Sequence, residues 1–218
     1  MKRSAAFFPI ALALAAMIIA PRVGAQEQDA REPIKIKKCQ TITQPGSYEL
    51  ANNLTATSTN GNCLVIAADF VTIDLAGFTI HGAGIAPGGS NSNGILSAPG
   101  AGELLHGIAV RNGSVSNFFN AVQLDSAEGS IVERLRVFGP PSPPGGGIGI
   151  SANGIVKDNT VVSIPAAGIT ATGLVTGNGG QGIAVRCPTN VTNNTAVNNE
   201  SNLVLLGEGC NDTNNVAP

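Results

Sequence analysis

Four cysteines set the strongest constraint on this chain. Cys39 and Cys63 lie 24 residues apart, Cys187 and Cys210 lie 23 apart, and between the pairs short apolar runs recur at a similar, irregular interval. Such spacing suits a chain wound in stacked coils, where residues one coil apart sit one strand spacing apart, about 4.8 Å. A disulfide spans Cα atoms roughly 4.4 to 6.8 Å apart, so cysteines one coil apart bridge without distortion. Pairing Cys39 with Cys63 and Cys187 with Cys210 would staple the two terminal coils, which have one neighbour each. Four cysteines allow three connectivities, and spacing leaves crossed pairs and free thiols open.

The N-terminus independently implies an oxidising compartment. Lys2 and Arg3 precede an apolar stretch from Ala5 to Ala20, and Val23-Gly24-Ala25 follows the breaker Pro21. This reads as a secretory signal peptide, residues 1–25, cut after Ala25. The apolar run falls short of the 18 or more residues expected of a membrane span, so no span is expected after cleavage. Of the 12 basic residues, Lys2, Arg3 and Arg22 lie in this segment, which leaves 9 against 14 acids and a net charge of −5. A secreted or periplasmic protein of that charge has no electrostatic case for binding nucleic acid.

Residues 26–38 form a polar lead-in or N-terminal cap in which Lys35, Lys37 and Lys38 read as a solvated face. From 39 to 218 the chain is one domain. Its glycines and asparagines, 28 and 21 in the whole chain, and its 12% charged residues suit turns rather than amphipathic helices. The run Gly139-Pro140-Pro141-Ser142-Pro143-Pro144-Gly145-Gly146-Gly147 reads as a loop excursion from one coil.

Repeats emerge when V-T-I-D-L-A-G-F (71–78) is aligned with I-A-V-R-N-G-S-V (108–115), I-V-E-R-L-R-V (131–137), I-V-K-D-N-T-V (155–161), L-V-T-G-N-G (174–179), N-V-T-N-N-T (190–195) and C-N-D-T-N-N-V (210–216). A second family of runs falls between them, at 93–96, 121–124, 147–150, 168–170, 182–185 and 203–206. Each coil therefore carries more than one strand, and apolar residues alternate with polar or small ones, as a wall with one inner face requires. The interval from Val175 to Val191 is tight for a full coil. Asn159, Asn178, Asn194 and Asn214 align where the chain turns a corner, with Asn112 two positions earlier in its coil. Asparagine tolerates left-handed backbone, and stacked amides hydrogen-bond along a ladder.

The opening C-x-x-I-x-x-P-G-x-Y-x-L-x-x-N-L (39–54), the segment C-L-V-I-x-A-D-F-V-T-I-D-L-A-G-F-T-I-H-G (63–82) and the N-T-V coils resemble the right-handed parallel β-helix proteins of the pectate lyase-like superfamily. The likeness is greatest to small exported bacterial members related to NosD-type proteins, and it runs from about 39 to 216. The expected fold is all-β, a single-stranded right-handed parallel β-helix of about seven coils. The resemblance implies that function, where present, lies on the outer face of the parallel sheet. Its polysaccharide lyases use acidic residues and often calcium to neutralise a uronate, with Arg or Lys as base.

In V-T-I-D-L, Val71, Ile73 and Leu75 point inward, so Thr72 and Asp74 point outward. Carried along the chain, this register puts Asp74, Arg111, Glu133, Lys157, Thr176, Thr192 and Asp212 in one outward column, with Asp74, Arg111, Glu133 and Lys157 as its binding surface. The alternating signs fit a ladder of cross-strand ion pairs. They also fit a carboxylate-recognising groove with Asp74 and Glu133 flanking Arg111. His81 and His106, the only histidines, join Asp74, Arg111 and Glu133 as catalytic candidates, since a His could abstract a proton α to a uronate carboxyl. Asp125 and Glu128 read as loop acids. Phe118 and Phe119, neighbours on an extended segment, cannot both point inward, so one is expected either to be exposed or to cover the loop beside the sheet.

No metal site is expected, because calcium takes six to eight oxygen ligands and the column offers no carboxylate cluster; calcium enters only with the lyase alternative. Gly147-Ile148-Gly149-Ile150-Ser151-Ala152 mimics a dinucleotide motif without the helix that motif needs. The expected function is a non-catalytic exported module that binds carbohydrate or protein or serves a structural role, its partner a polysaccharide or an envelope protein. The alternative is a polysaccharide lyase, epimerase or hydrolase acting on an acidic glycan. The shortness of the solenoid favours the first, because the family's enzymes carry more coils and long loops that wall a cleft.

Overall fold

The computed structural model describes residues 32–84, 91–140, 147–164, 167–180, 182–197 and 202–218. The expected signal peptide, residues 26–31 of the lead-in and residues 141–146 of the proline-rich loop lie outside the described residues. Among the described residues every regular element is a β-strand, and the strands pair in parallel. The result is a parallel β-helix. Crossover connections between parallel strands are right-handed almost without exception.

Three walls make up each coil. On the first wall Ile73, Val110, Val132, Val156, Val175 and Val191 pair in register, and all are fully buried. On the second, Ile80, Val115, Val137 and Val161 do the same. The third stacks Leu64, Ile95, Val122, Ile150, Ile169 and Ile183. β-Branched residues dominate these columns because they pack well on a pleated surface. The core is thus a shaft of aliphatic side chains with the polar alternates turned out.

The strand Ile34–Ile36 pairs with Gly46–Leu50, so the solenoid begins inside the lead-in. Lys35 is exposed, as are Lys37 and Lys38, and its backbone is part of the sheet. From Lys35 through Glu49, Asp74, Arg111, Glu133, Lys157, Thr176 and Thr192 to Thr213, the first wall stacks nine levels. The tight interval is a true coil: Val175 pairs directly with Val191 after a register shift between Ala171 and Gly173.

The last coil differs from the expected register by one residue. Asn211 pairs with Asn190, Asp212 with Val191 and Thr213 with Thr192, so Asp212 occupies the inward column and Thr213 the outward one. A slip of one residue in a strand reverses which side chains face the core. The same slip places Asn215, not Asn214, above Asn194.

Both terminal coils are stapled as the spacing suggested. Cys39 bonds Cys63 with Cα atoms 4.4 Å apart, and Cys187 bonds Cys210 with Cα atoms 4.9 Å apart. Phe118 is buried and Phe119 partly exposed.

Candidate functional site

The corner between the first and second walls organises the outer face. Asn112, Arg134, Asp158, Gly177, Asn193 and Asn214, each following a residue of the outward column, have φ between 52° and 65°. In these six coils one left-handed residue makes the bend, whereas the Asp74 coil turns with two, Ala76 and Gly77. Asn112 therefore lies one position before the asparagine ladder, not two. The next residue inward begins that ladder: the Nδ2 of Asn159 donates to Asn178 Oδ1 at 3.0 Å, Asn178 to Asn194 at 3.0 Å and Asn194 to Asn215 at 2.9 Å. Each Oδ1 also accepts the backbone N–H of the preceding asparagine. Each Nδ2 donates a second bond to a carbonyl, for example Asn178 to Val156 O at 2.9 Å. The buried amides are thereby fully engaged.

Outside this corner the charged column assembles in register. Lys35 Nζ lies 2.6 Å from Glu49 Oε1. Arg111 Nε donates to Asp74 Oδ2 at 3.0 Å, and Asn112 Nδ2 donates to the same oxygen at 2.9 Å. Asp74 Oδ1 accepts the Ala76 N–H at 2.8 Å. Glu133 is gripped hardest, with Lys157 Nζ 2.9 Å from one oxygen and Arg134 Nη2 2.6 Å from the other. Only 8% of Glu133 is exposed. The hydrogen bond from Lys157, with the charges of Arg134, Lys157 and Arg111, holds its carboxyl below the ordinary 4.5 despite burial. Burial alone would raise it.

Asp74, Arg111, Glu133 and Lys157 thus come together on one wall, each engaged by a neighbour. The histidines stand elsewhere. His81 lies on the second wall beside Ser116, its Nδ1 2.9 Å from Ser116 Oγ. His106 belongs to a separate ladder, Leu105–His106 with Ala127–Glu128, its Nδ1 4.0 Å from Glu128 Oε2. Among the described residues no three of His, Cys, Asp and Glu converge to hold a metal ion.

Among the described residues, open hollows flank the walls. One of about 430 Å³ lies at the corner, lined by Asn112, Arg134, Arg136 and Asp158 among others. A second of about 350 Å³ lies on the third wall and gathers Asp125, Ser151, Asn153, Thr170, Thr172 and Arg186. There Asp125 accepts a hydrogen bond from Ser151, Asn153 Nδ2 donates to the Asp125 carbonyl at 2.9 Å, and Thr172 Oγ1 donates to Asn153 Oδ1 at 3.0 Å.

Sequence reasoning missed Lys35 and Glu49, which extend the column, and Arg134, whose guanidinium also bonds Asn112 Oδ1 at 2.7 Å. Arg134 adjoins Glu133 in the sequence, but adjacent residues of one strand point to opposite faces unless a bend separates them, so the adjacency gave no signal of the contact. Comparison of the sequence with family models and curated proteins, and of the structure with solved structures, gives no match.

Proposed function

We propose that this chain is an exported, non-catalytic β-helix of the cell envelope or extracellular space that binds carbohydrate on its outer face. Its likeness to the pectate lyase-like and NosD-related proteins is then one of architecture. The observation that carries this reading is how the outward charges are used. Arg111, the base the lyase alternative would need, donates to Asp74, while Glu133 is saturated by Lys157 and Arg134. Such a column is a cross-strand ion ladder that stiffens the wall. The hollow on the third wall instead presents hydroxyl, amide and guanidinium groups in stacked rows, a chemistry suited to sugar hydroxyls.

Export is supported by the two disulfides, which persist in oxidising compartments, and by the basic and apolar N-terminal segment. Among the described residues no helix is long and apolar enough to cross a membrane.

The test pairs turnover with binding. Mature protein is incubated with polygalacturonate and alginate, with and without calcium, while the absorbance of unsaturated uronates is followed. The same protein is run through native gels containing acidic or neutral polysaccharides. A flat absorbance trace with retarded migration in at least one polymer is the expected result. Sustained absorbance growth abolished by Arg111→Ala would replace binding with lyase catalysis.

A further inference from the structure

The second corner, between the third and first walls, also needs a left-handed residue. Thr72, Ala109 and Ile131 pair in register, and two positions before each stand Phe70, Gly107 and Gly129, with φ of 54°, 65° and 64°. Glycine adopts this conformation without penalty, whereas a side chain crowds its own backbone there. Two of these three coils use glycine. The third places a phenylalanine at the same bend.

Neither the core nor the turn accounts for that ring. Phe70 is 68% exposed, the highest value among the large apolar residues exposed on the described surface. Its backbone is fixed on both sides, the N–H donating to His106 O at 2.8 Å and the carbonyl accepting from Gly46 N at 3.2 Å. The ring lies against Gly107: a Cβ there would stand 2.8 Å from Phe70 Cδ1 and 3.2 Å from Cε1. The bare glycine lets an aromatic plate rest on the neighbouring coil with much of its surface in water.

Polar residues adjoin the ring along the chain and in the neighbouring coils: Asp69 precedes Phe70, His106 precedes the Gly107 that the ring lies against, and Glu128 pairs with His106. The Asp69 carboxylate accepts the His106 backbone N–H at 2.8 Å. The His106 imidazole and the Glu128 carboxylate, 4.0 Å apart, are both more than half exposed. An apolar ring edged by hydrogen-bonding groups matches a pyranose, which has a C–H face and a hydroxyl rim. Two carboxylates beside one histidine disfavour an anionic ligand.

We propose that Phe70, with Asp69, His106 and Glu128 at its edge, is a stacking site for a neutral hexose or pentose polymer. Phe70 carries the sugar face and the flanking side chains hydrogen-bond its hydroxyls. This rests on the carbohydrate reading above and narrows it to uncharged glycans, but does not depend on the third-wall hollow.

Affinity electrophoresis of the mature protein in hydroxyethylcellulose, galactomannan and polygalacturonate, with thermal melting of each variant, tests it. Wild-type protein should be retarded by a neutral polymer. Phe70→Gly should weaken that retardation at least tenfold while melting at the same or a higher temperature, because glycine relieves the bend. A Phe70→Gly variant that migrates like wild type in the neutral polymer overturns the site but leaves carbohydrate binding standing. So does retardation by polygalacturonate alone. A variant that melts lower shows the ring to be a structural brace and also overturns it. Absence of retardation in all three polymers overturns the stacking site together with the carbohydrate reading.

Discussion

The two halves of the solenoid hold their coils together by different means. Up to Lys157 the outward column is ionic and its coils are uneven, the interval running from 14 residues for Lys35 and Glu49 to 37 for Asp74 and Arg111. Beyond Lys157 the column is threonine, the corner is an asparagine ladder and the coils are more even, with an interval of 16 residues for Thr176 and Thr192 and 21 for Asn194 and Asn215. Ion pairs fall off slowly with distance and tolerate flexible side chains, so they suit coils of unequal length. Amide ladders need donor and acceptor within tenths of an ångström of 2.9 Å. They suit coils pared to the minimum.

Breaking the amide half should cost most. Asn178→Ala would leave the Val156 carbonyl and both the backbone and side-chain N–H groups of Asn159 short of a partner. At about 1–3 kcal/mol for each buried unsatisfied group, a loss of about 4 kcal/mol is expected in urea unfolding. A loss below about 1 kcal/mol would mean that the ladder merely follows the strands. The next largest effect is expected from Cys187→Ser with Cys210→Ser, about 3 kcal/mol from loop-closure entropy. The near-equal loop at Cys39–Cys63 should give nearly the same value. A large inequality would show that one end holds residual structure when unfolded.

The ionic half should respond to pH. Glu133→Ala is expected to cost about 1.5 kcal/mol at neutral pH, the range of a charge-assisted hydrogen bond. Because the folded-state pKa of Glu133 is lowered, its contribution is complete above the ordinary value of 4.5 and fades as pH falls through the folded-state value. Denaturation midpoints followed below pH 4.5 should drop more steeply for wild type than for Glu133→Ala. Arg111→Ala should cost least, under about 1 kcal/mol, because the pair is partly solvated, and added salt should shrink that cost. The Asn178→Ala penalty should not change with salt.

Legibility followed the apolar pattern and crossed that divide. Ile73, Val110, Val132, Val156 and Val175 could be read as one column because apolar residues fix the register of a half-buried strand. In Asn211-Asp212-Thr213 no apolar residue marks the inner face, and there the reading slipped by one. Lys35 was hidden because its strand is three residues long and sits in a polar segment. The charges in Ile131-Val132-Glu133-Arg134-Leu135 could be ordered along the chain, but Arg134 reaches Glu133 only because the backbone turns left-handed between two walls. Phe70 carries no mark of exposure in the sequence, where it follows Asp69 at the start of an apolar strand. Its composition says apolar, while its exposure follows from a bend that only three-dimensional stacking reveals.

Asp212 occupies the place where the aliphatic shaft meets water. Below it the shaft is sealed by Val191, and its carboxylate accepts a hydrogen bond from Asn215. An open β-edge is a template for polymerisation, and inward-pointing charge is one of the devices that blunt it. Any strand laid over Asn211–Thr213, from this chain or from a neighbour, would bury a carboxylate against the next coil. Desolvating such a charge without a counter-ion costs several kcal/mol. The residue that spoiled the hydrophobic alternation therefore disfavours strand addition over Asn211–Thr213.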